Sequence, residues 1–100
     1  MAVPSLPVQS RRAAVDLGAH LCTWRKLLGL TAQQVAERAG TTRQTLARLE
    51  RGSGAVSLGT FLNVARALGQ LDRAVNALDP YETPFGRARA DDMLPQRVRR

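Results

Sequence analysis

The sequence predicts an all-α fold, a compact bundle of about five short helices, and three observations support it. Apolar residues recur at helical spacing in about five successive segments, each bounded by a residue that suits a helix end. The composition is 44% hydrophobic but only 4% aromatic, which is typical of a small helical domain with a Leu, Ala and Val core. A length of 100 residues allows one such domain, with little room for a second.

Residues 30–52 predict two short helices joined by a tight turn, the pattern of a helix-turn-helix. Thr31 suits the N-cap of the first helix, because its hydroxyl can accept one of the free backbone N–H groups of the first turn. Gly40 ends that helix, Thr41 or Thr42 caps the second, and Gly52 ends it. The inward stripe of the first helix is Val35, Ala36 and Ala39, and that of the second helix is Leu46 and Leu49.

The second helix of this pair has a polar outward face. In a helix-turn-helix, side chains near the N-terminal end of this helix enter the major groove of DNA. Arginine suits guanine, glutamine suits adenine, and a threonine methyl group can contact thymine. The alternative is an ordinary solvated helix face. We expect base contacts from Arg43, Gln44, Thr45 and Arg48.

The charge balance favours a polyanionic partner. Fifteen basic and eight acidic residues give a net charge of +7 and a sequence pI near 11.4, which suits nucleic acid or an acidic membrane surface. No apolar run approaches the roughly 18 residues of a membrane span, and the first residues lack the pattern of a signal peptide. Cys22, the single cysteine, excludes an intramolecular disulfide and favours a reducing cytoplasm.

Several short stretches resemble those of a known family. They are GLT at 29–31, VAERAG at 35–40, TTRQT at 41–45 and LERG at 49–52. Through them, residues 17–68 resemble the Cro/repressor type of helix-turn-helix domain, the XRE family. The resemblance implies a five-helix bundle of the lambda-repressor-like type that binds operator DNA as a dimer. Within that family, a short basic and apolar tail resembles the HipB-type antitoxins, which partner a HipA-like serine/threonine kinase toxin.

The first helix is expected over residues 13–28. Its predicted inward stripe is Leu17, Leu21, Trp24 and Leu28. In the resembling family, a basic residue at the position of Arg25 pairs with an acidic residue at the position of Glu50. The resemblance therefore implies a partly buried ion pair between these two side chains. The alternative is two unrelated surface charges.

Phosphate contacts are expected from the N-termini of the second and third helices and from the loop after the third. The candidates are Thr31, Gln33, Gln34, Thr42, Arg51 and Ser53. Two departures from the family pattern predict weaker anchoring. Ala32 stands where the family often has a glutamine, and residues 53–56 include no basic side chain. Arg11, Arg12 or the basic tail could offset this loss.

Two more helices are expected after that loop. Ser57 is predicted to cap a fourth helix over residues 58–68, and a fifth follows over residues 70–78. The predicted apolar face of the fourth helix is Leu58, Phe61, Leu62, Ala65 and Leu68. The fifth helix is the leading candidate for the dimer surface, through Leu71, Val75 and Leu78. The alternative is that these three residues only close the monomer core.

The chain is expected to divide into a flexible arm (1–12), the DNA-binding domain (13–79) and an extended basic tail (80–100). The tail carries apolar residues, so docking to a partner and simple disorder both stay open. Catalysis has little support, because His20 is the single histidine and with Cys22 supplies too few ligands for a structural zinc, which needs about four. We expect no enzyme activity, cofactor or metal.

The sequence therefore predicts a cytoplasmic homodimer that binds a pseudo-palindromic operator and represses transcription. By the resemblance, it is the autoregulating antitoxin of a HipBA-like type II toxin–antitoxin system and binds a HipA-like kinase toxin. One alternative is a stand-alone XRE-family regulator, either a phage-type repressor or a restriction–modification controller. Another is a protein-interaction module that has lost DNA binding.

Overall fold

The computed structural model of the chain describes residues 5–94. The helices of this part are α1 (Val8–Leu27), α2 (Ala32–Ala39), α3 (Arg43–Glu50), α4 (Leu58–Ala67), α5 (Leu71–Asn76) and α6 (Pro84–Met93), with a 3-10 turn at Pro80–Glu82. No strand occurs among the described residues, and the predicted all-α fold is confirmed. No helix in residues 5–94 is long and apolar enough to cross a bilayer. Residues 1–4 of the predicted arm and 95–100 of the predicted tail lie outside the described part.

Both helices of the helix-turn-helix begin at side-chain caps. The hydroxyl of Thr31 accepts the backbone N–H of Gln34 at 3.1 Å, and the Gln34 side-chain oxygen accepts the N–H of Thr31 at 2.9 Å. This reciprocal pair is a capping box, which satisfies two backbone donors that a helix start leaves free. Gly40 ends α2 with φ of 68°, and Thr42 caps α3 by accepting the N–H of Thr45 at 3.1 Å. The predicted boundaries of this unit are therefore confirmed.

The core lies where α1, α2, α3 and α4 meet. Its buried members are Leu21, Val35, Ala36, Ala39, Leu46, Leu49, Val64 and Leu68. Val35, Leu46 and Val64 are the largest side chains that solvent does not reach. The predicted inward stripes of α2 and α3 are thus buried as expected.

The stripe predicted for α1 is partly wrong. Leu21 is buried, but Leu17 is 51% exposed and Leu28 is 48% exposed. The face that α1 turns to the bundle instead carries Gly18, Leu21 and Arg25, which follow one another at helical spacing. An apolar pattern could not identify this face, because it contains a glycine at one end and a charged residue at the other.

Gly18 brings α1 into direct backbone contact with the end of α3. A Cβ atom at this position would overlap the carbonyl oxygen of Leu49 and would lie 2.8 Å from that of Glu50. The contact continues at Gly52, where a Cβ atom would lie 2.5 Å from the Cα of Val15. The absence of a side chain at Gly18 and Gly52 therefore sets how closely the two helices approach.

The predicted apolar face of α4 is also partly wrong. Leu58, expected to face inward, is 71% exposed at the first residue of the helix. Val64, which the predicted face omits, is fully buried beside Ala65 and Leu68. The helix is rotated towards Val64 because its main neighbour is α2, whose buried face is Val35, Ala36 and Ala39. Ser57 caps this helix as predicted, with its hydroxyl 3.1 Å from the N–H of Thr60.

Two helix ends differ from the sequence prediction. α1 begins at Val8 rather than near Ala13, so most of the described part of the predicted arm is helical. Pro7 stands just before it with φ of −56°, which suits a helix start because the proline ring already fixes this angle. α5 ends at Asn76, and Leu78 lies beyond the helix.

The predicted extended tail instead contains α6. Thr83 caps this helix by accepting the N–H of Gly86 at 2.9 Å, and Pro84 occupies its first turn. Proline is favoured there because the missing N–H would have no partner within the helix. Arg87 also donates a hydrogen bond to the carbonyl oxygen of Tyr81, which ties α6 to the 3-10 turn. Pro84 therefore starts a helix rather than preventing one.

We expect Gly18→Ala to lower the free energy of unfolding by about 1–3 kcal/mol, the usual cost of overpacking. The added methyl group would overlap the Leu49 carbonyl, and this outweighs the gain in helix propensity. Gly59→Ala in α4 is the matched control, because its nearest neighbour would be the Ser57 hydroxyl at 3.9 Å. That change should raise stability by about 0.4–1 kcal/mol. Denaturant unfolding of both variants checks this, and equal effects would contradict the α1–α3 contact.

Candidate nucleic-acid interface

The outward face of α3 presents three side chains that the fold does not use. Arg43, Gln44 and Arg48 are exposed, and within residues 5–94 their side chains form no hydrogen bond or ion pair. Guanidinium and amide groups on a helix surface are donors that water satisfies until a better partner displaces it. All three are therefore available to an incoming ligand.

Thr45, the fourth predicted base contact, has a second role. It is half-buried, its N–H donates to the Thr42 hydroxyl, and its own hydroxyl oxygen accepts a hydrogen bond from that hydroxyl at 3.0 Å. The side chain therefore belongs to the cap of α3. A contact from its methyl group to a thymine methyl remains compatible with this arrangement.

An open groove of about 520 Å³ runs beside these side chains. It is lined by Arg43, Gln44, Ala47 and Glu50 of α3 and by Ala32 of α2. The two alanines leave the groove open where longer side chains would fill it. Sequence reasoning missed Ala47, because a small apolar residue carries no functional signal of its own. Its spacing of one helical turn from Arg43 is the signal that could have placed it on this face.

Arg25 and Glu50 form the ion pair that the family resemblance implies. Arg25 Nε lies 2.8 Å from Glu50 Oε2, and Nη2 lies 3.1 Å from Oε1, so the contact is bidentate. The side chains are only 15% and 12% exposed. The hydrogen bond with Glu50 raises the pKa of Arg25 above its already high ordinary value, despite an opposing effect of burial. Because a raised pKa favours the charged form, the Arg25 guanidinium is cationic throughout the neutral range.

This pair also fixes the start of the helix-turn-helix. Arg25 Nη1 donates to the carbonyl oxygen of Leu30 at 3.3 Å, just before the Thr31 cap. One guanidinium therefore connects α1, the chain before α2 and the last residue of α3. It holds the outward face of α3 in a fixed orientation.

The side chains proposed for phosphate contact are partly engaged at the start of α2. Thr31 and Gln34 form the capping box, and the Gln33 amide donates to a Glu37 carboxylate oxygen at 2.8 Å. Any phosphate at this end of α2 would therefore be met mainly by backbone N–H groups of the first turn. Thr42 is engaged in the same way at the start of α3.

The loop after α3 offers a different arrangement. Arg51 is exposed at the C-cap of α3. The Ser53 hydroxyl accepts the N–H of Ala55 at 3.2 Å, which shapes the loop and leaves its own O–H able to donate. Arg51 and Ser53 thus place a cation and a hydroxyl near the end of α3 that is opposite to Arg43.

Comparison with known proteins agrees with this geometry. A family model described as helix-turn-helix matches residues 23–74, which is more than half of the chain. The chain belongs to the XRE-type helix-turn-helix family. No solved structure matches significantly.

Two curated relatives carry the name of uncharacterized HTH-type transcriptional regulator. One, from Methanothermobacter thermautotrophicus, is 52% identical over 46 residues, which cover 46% of this chain and 67% of the relative. The other, y4dJ of Sinorhizobium fredii, is 37% identical over 71 residues, which cover 70% of this chain and 90% of the relative. The protein is a transcriptional regulator with a helix-turn-helix DNA-binding domain.

We expect Arg25→Met to lower the free energy of unfolding by about 2–3 kcal/mol, because it leaves the Glu50 carboxylate without its partner in a largely buried position. Lys26→Met is the matched control, since it removes the same charge from the next, exposed position and should change stability by less than about 0.5 kcal/mol. The double variant Arg25→Met, Glu50→Gln should recover part of the loss. Urea unfolding measures all three. Equal effects of Arg25→Met and Lys26→Met would contradict a structural role for the pair.

Proposed function

We propose that this regulator is a repressor that binds a pseudo-palindromic operator as a homodimer and inserts α3 into the major groove. The observation that carries this proposal is the combination of a fixed helix with free side chains. Backbone contact at Gly18 and the Arg25–Glu50 pair anchor α3, while Arg43, Gln44 and Arg48 remain unpaired within the described chain. Base reading requires donors that are free and a scaffold that does not move.

In this proposal the face of α3 distinguishes bases in three ways. Arg43 and Arg48 donate in pairs to the acceptors of guanine, and Gln44 makes a paired contact with adenine. The methyl groups of Thr45 and Ala47 contact thymine. Phosphates on either side meet the first turns of α2 and α3, and Arg51 with Ser53 binds another from the following loop.

The proposed dimer surface lies on and after α5. Val75 is 62% exposed and Leu78 is 88% exposed. This exposure supports an interface over the alternative, in which these residues close the monomer core. A two-fold dimer would place its two recognition helices about 34–36 Å apart, one turn of DNA. Leu71, which is half-buried, joins this surface to the bundle.

We further propose a HipA-like kinase toxin as protein partner, which would make the protein an autoregulating antitoxin. Support comes from the family resemblance and from α6. Phe85 is 76% exposed and Met93 is 64% exposed, beside an apolar groove of about 460 Å³. A kinase reading frame immediately downstream of the gene would favour this function. A methyltransferase or endonuclease neighbour would instead favour a stand-alone restriction–modification controller.

We expect Arg43→Ala to weaken binding to the operator by about 1–3 kcal/mol and to relax the preference at one base pair. Arg51→Ala is the comparison, because loss of a phosphate contact should weaken all sequences similarly and reduce the salt dependence. Fluorescence anisotropy with DNA from upstream of the gene and a scrambled duplex measures both variants. If Arg43→Ala weakens the two duplexes equally, Arg43 does not read a base. If function survives with Arg43 and Gln44 both replaced, the protein-interaction alternative gains support.

We expect Leu78→Asp to shift the protein from dimer towards monomer, because a charge would enter the proposed apolar interface. Leu58→Asp is the matched control: Leu58 is 71% exposed at the first residue of α4, the end of that helix opposite to α5. Sedimentation velocity over a range of concentrations measures the dimer dissociation constant of each. A wild-type monomer, or an equal shift in both variants, would show that α5 and Leu78 do not form the interface.

A further inference from the structure

We propose that Arg11 on α1 and the loop at residues 53–55 form a DNA phosphate site outside the helix-turn-helix. The inference rests on the proposed function, since it assumes that α3 docks on duplex DNA. It assigns to Arg11 a contact that lies outside the family match, and it selects Arg11 from the basic residues that the sequence offered together as possible extra charge. The ligand is the phosphate backbone, so the site contributes affinity and register without sequence preference.

Most of α1, residues 8–22, lies before the part of the chain that the family model matches. The family model begins at residue 23, whereas α1 is a continuous helix of 20 residues from Val8. This extension does not project away from the domain. It passes the end of α3, where Val15 contacts Gly52, and the preceding Leu6 lies against Gly54.

This packing brings Arg11 to the loop that follows the recognition helix. Arg11 lines a concavity of about 380 Å³ together with Val15, Leu6 and residues 52–55. Within residues 5–94 it has no carboxylate in ion-pair distance. Asp16 lies further along the same helix, where it lines a neighbouring groove with Arg11 and Arg12, but it pairs with neither. Arg11 therefore presents an uncompensated cation beside residues 53–55, which carry no basic side chain.

The position of this concavity suits a phosphate. Arg51 at the C-cap of α3 and the Ser53 hydroxyl are already proposed to meet the backbone there. Residues 53–56 lack a basic side chain, so the extension of α1 supplies from another element the charge that this loop does not have. A guanidinium is well suited to this contact because its planar fork matches phosphate oxygens.

The position of Arg11 relative to α3 is fixed by the same contacts that hold α3 against α1. α1 touches the end of α3 at Gly18 and the chain just after α3 at Gly52, and Arg25 pairs with Glu50 at the other end of the interface. Arg11 therefore keeps a constant relation to Arg43 and Gln44 when the protein docks. Little ordering of the backbone is needed on binding, so the cost in conformational entropy is small.

The test compares Arg11→Ala with Arg12→Ala and Arg11→Lys in the full chain. Binding to a duplex from upstream of the gene and to a scrambled duplex is measured by fluorescence anisotropy at five salt concentrations. Arg11→Ala should reduce the slope of log Kd against log salt by about 0.9, the value for one lost phosphate contact, on both duplexes. Arg12→Ala removes the same charge one residue further on and should leave the slope nearly unchanged. Arg11→Lys should retain most of the wild-type slope, because an ammonium group also pairs with phosphate.

Two results would overturn the proposal. One is an unchanged slope in Arg11→Ala, and the other is an equal reduction in Arg12→Ala, which would mean that net charge alone is acting. Both arginines are exposed, and thermal unfolding of each variant verifies that the fold is retained. The proposed function is judged separately, by the wild-type preference for its own upstream DNA. Equal binding of the wild-type protein to the two duplexes, together with a slope change specific to Arg11, would reject the repressor function. The phosphate site would still be supported by that result.

Discussion

Close backbone contact between α1 and the end of α3 is the constraint on which the rest of the structure depends. It requires a glycine on α1 at position 18, and it brings Arg25, about two helical turns further along the same face, within reach of Glu50. The two contacts differ in kind: one is steric and sets the distance, while the other is ionic and sets the rotation. Together they orient α3 before any ligand is present, which is the preorganisation that specific recognition needs.

Local signals made much of the fold predictable. Thr31, Gly40 and Ser57 mark helix ends because a hydroxyl cap or a left-handed residue acts within a few positions of itself. Contacts between distant parts of the chain were less predictable from the sequence. The exposure of Leu17 and the burial of Val64 depend on which neighbour each helix meets, and apolar periodicity alone does not determine that. The helix that begins at Pro84 was not predictable for a different reason, since proline both ends helices and begins them.

The candidate site was likewise predictable from the sequence only in part. Residue type and helical position were enough to select Arg43, Gln44 and Arg48 as exposed side chains, and the structure leaves them exposed. Whether they contact bases is a proposal that binding experiments decide. The groove beside Ala47 and the use of the Thr45 hydroxyl in the cap of α3 were not predictable. Each depends on side-chain geometry between neighbouring turns, which residue type does not specify.

The lack of internal partners for Arg43, Gln44 and Arg48 has a consequence for how such a regulator diverges. Substitutions at these positions remove no hydrogen bond or ion pair of the described fold, so they should cost little in folding free energy. Thr45 differs, because its N–H and hydroxyl take part in the cap of α3. On the proposed function, a duplicated copy could therefore acquire a new target sequence through a few changes on α3, while selection for a stable domain continues to act on Gly18, Arg25 and Glu50.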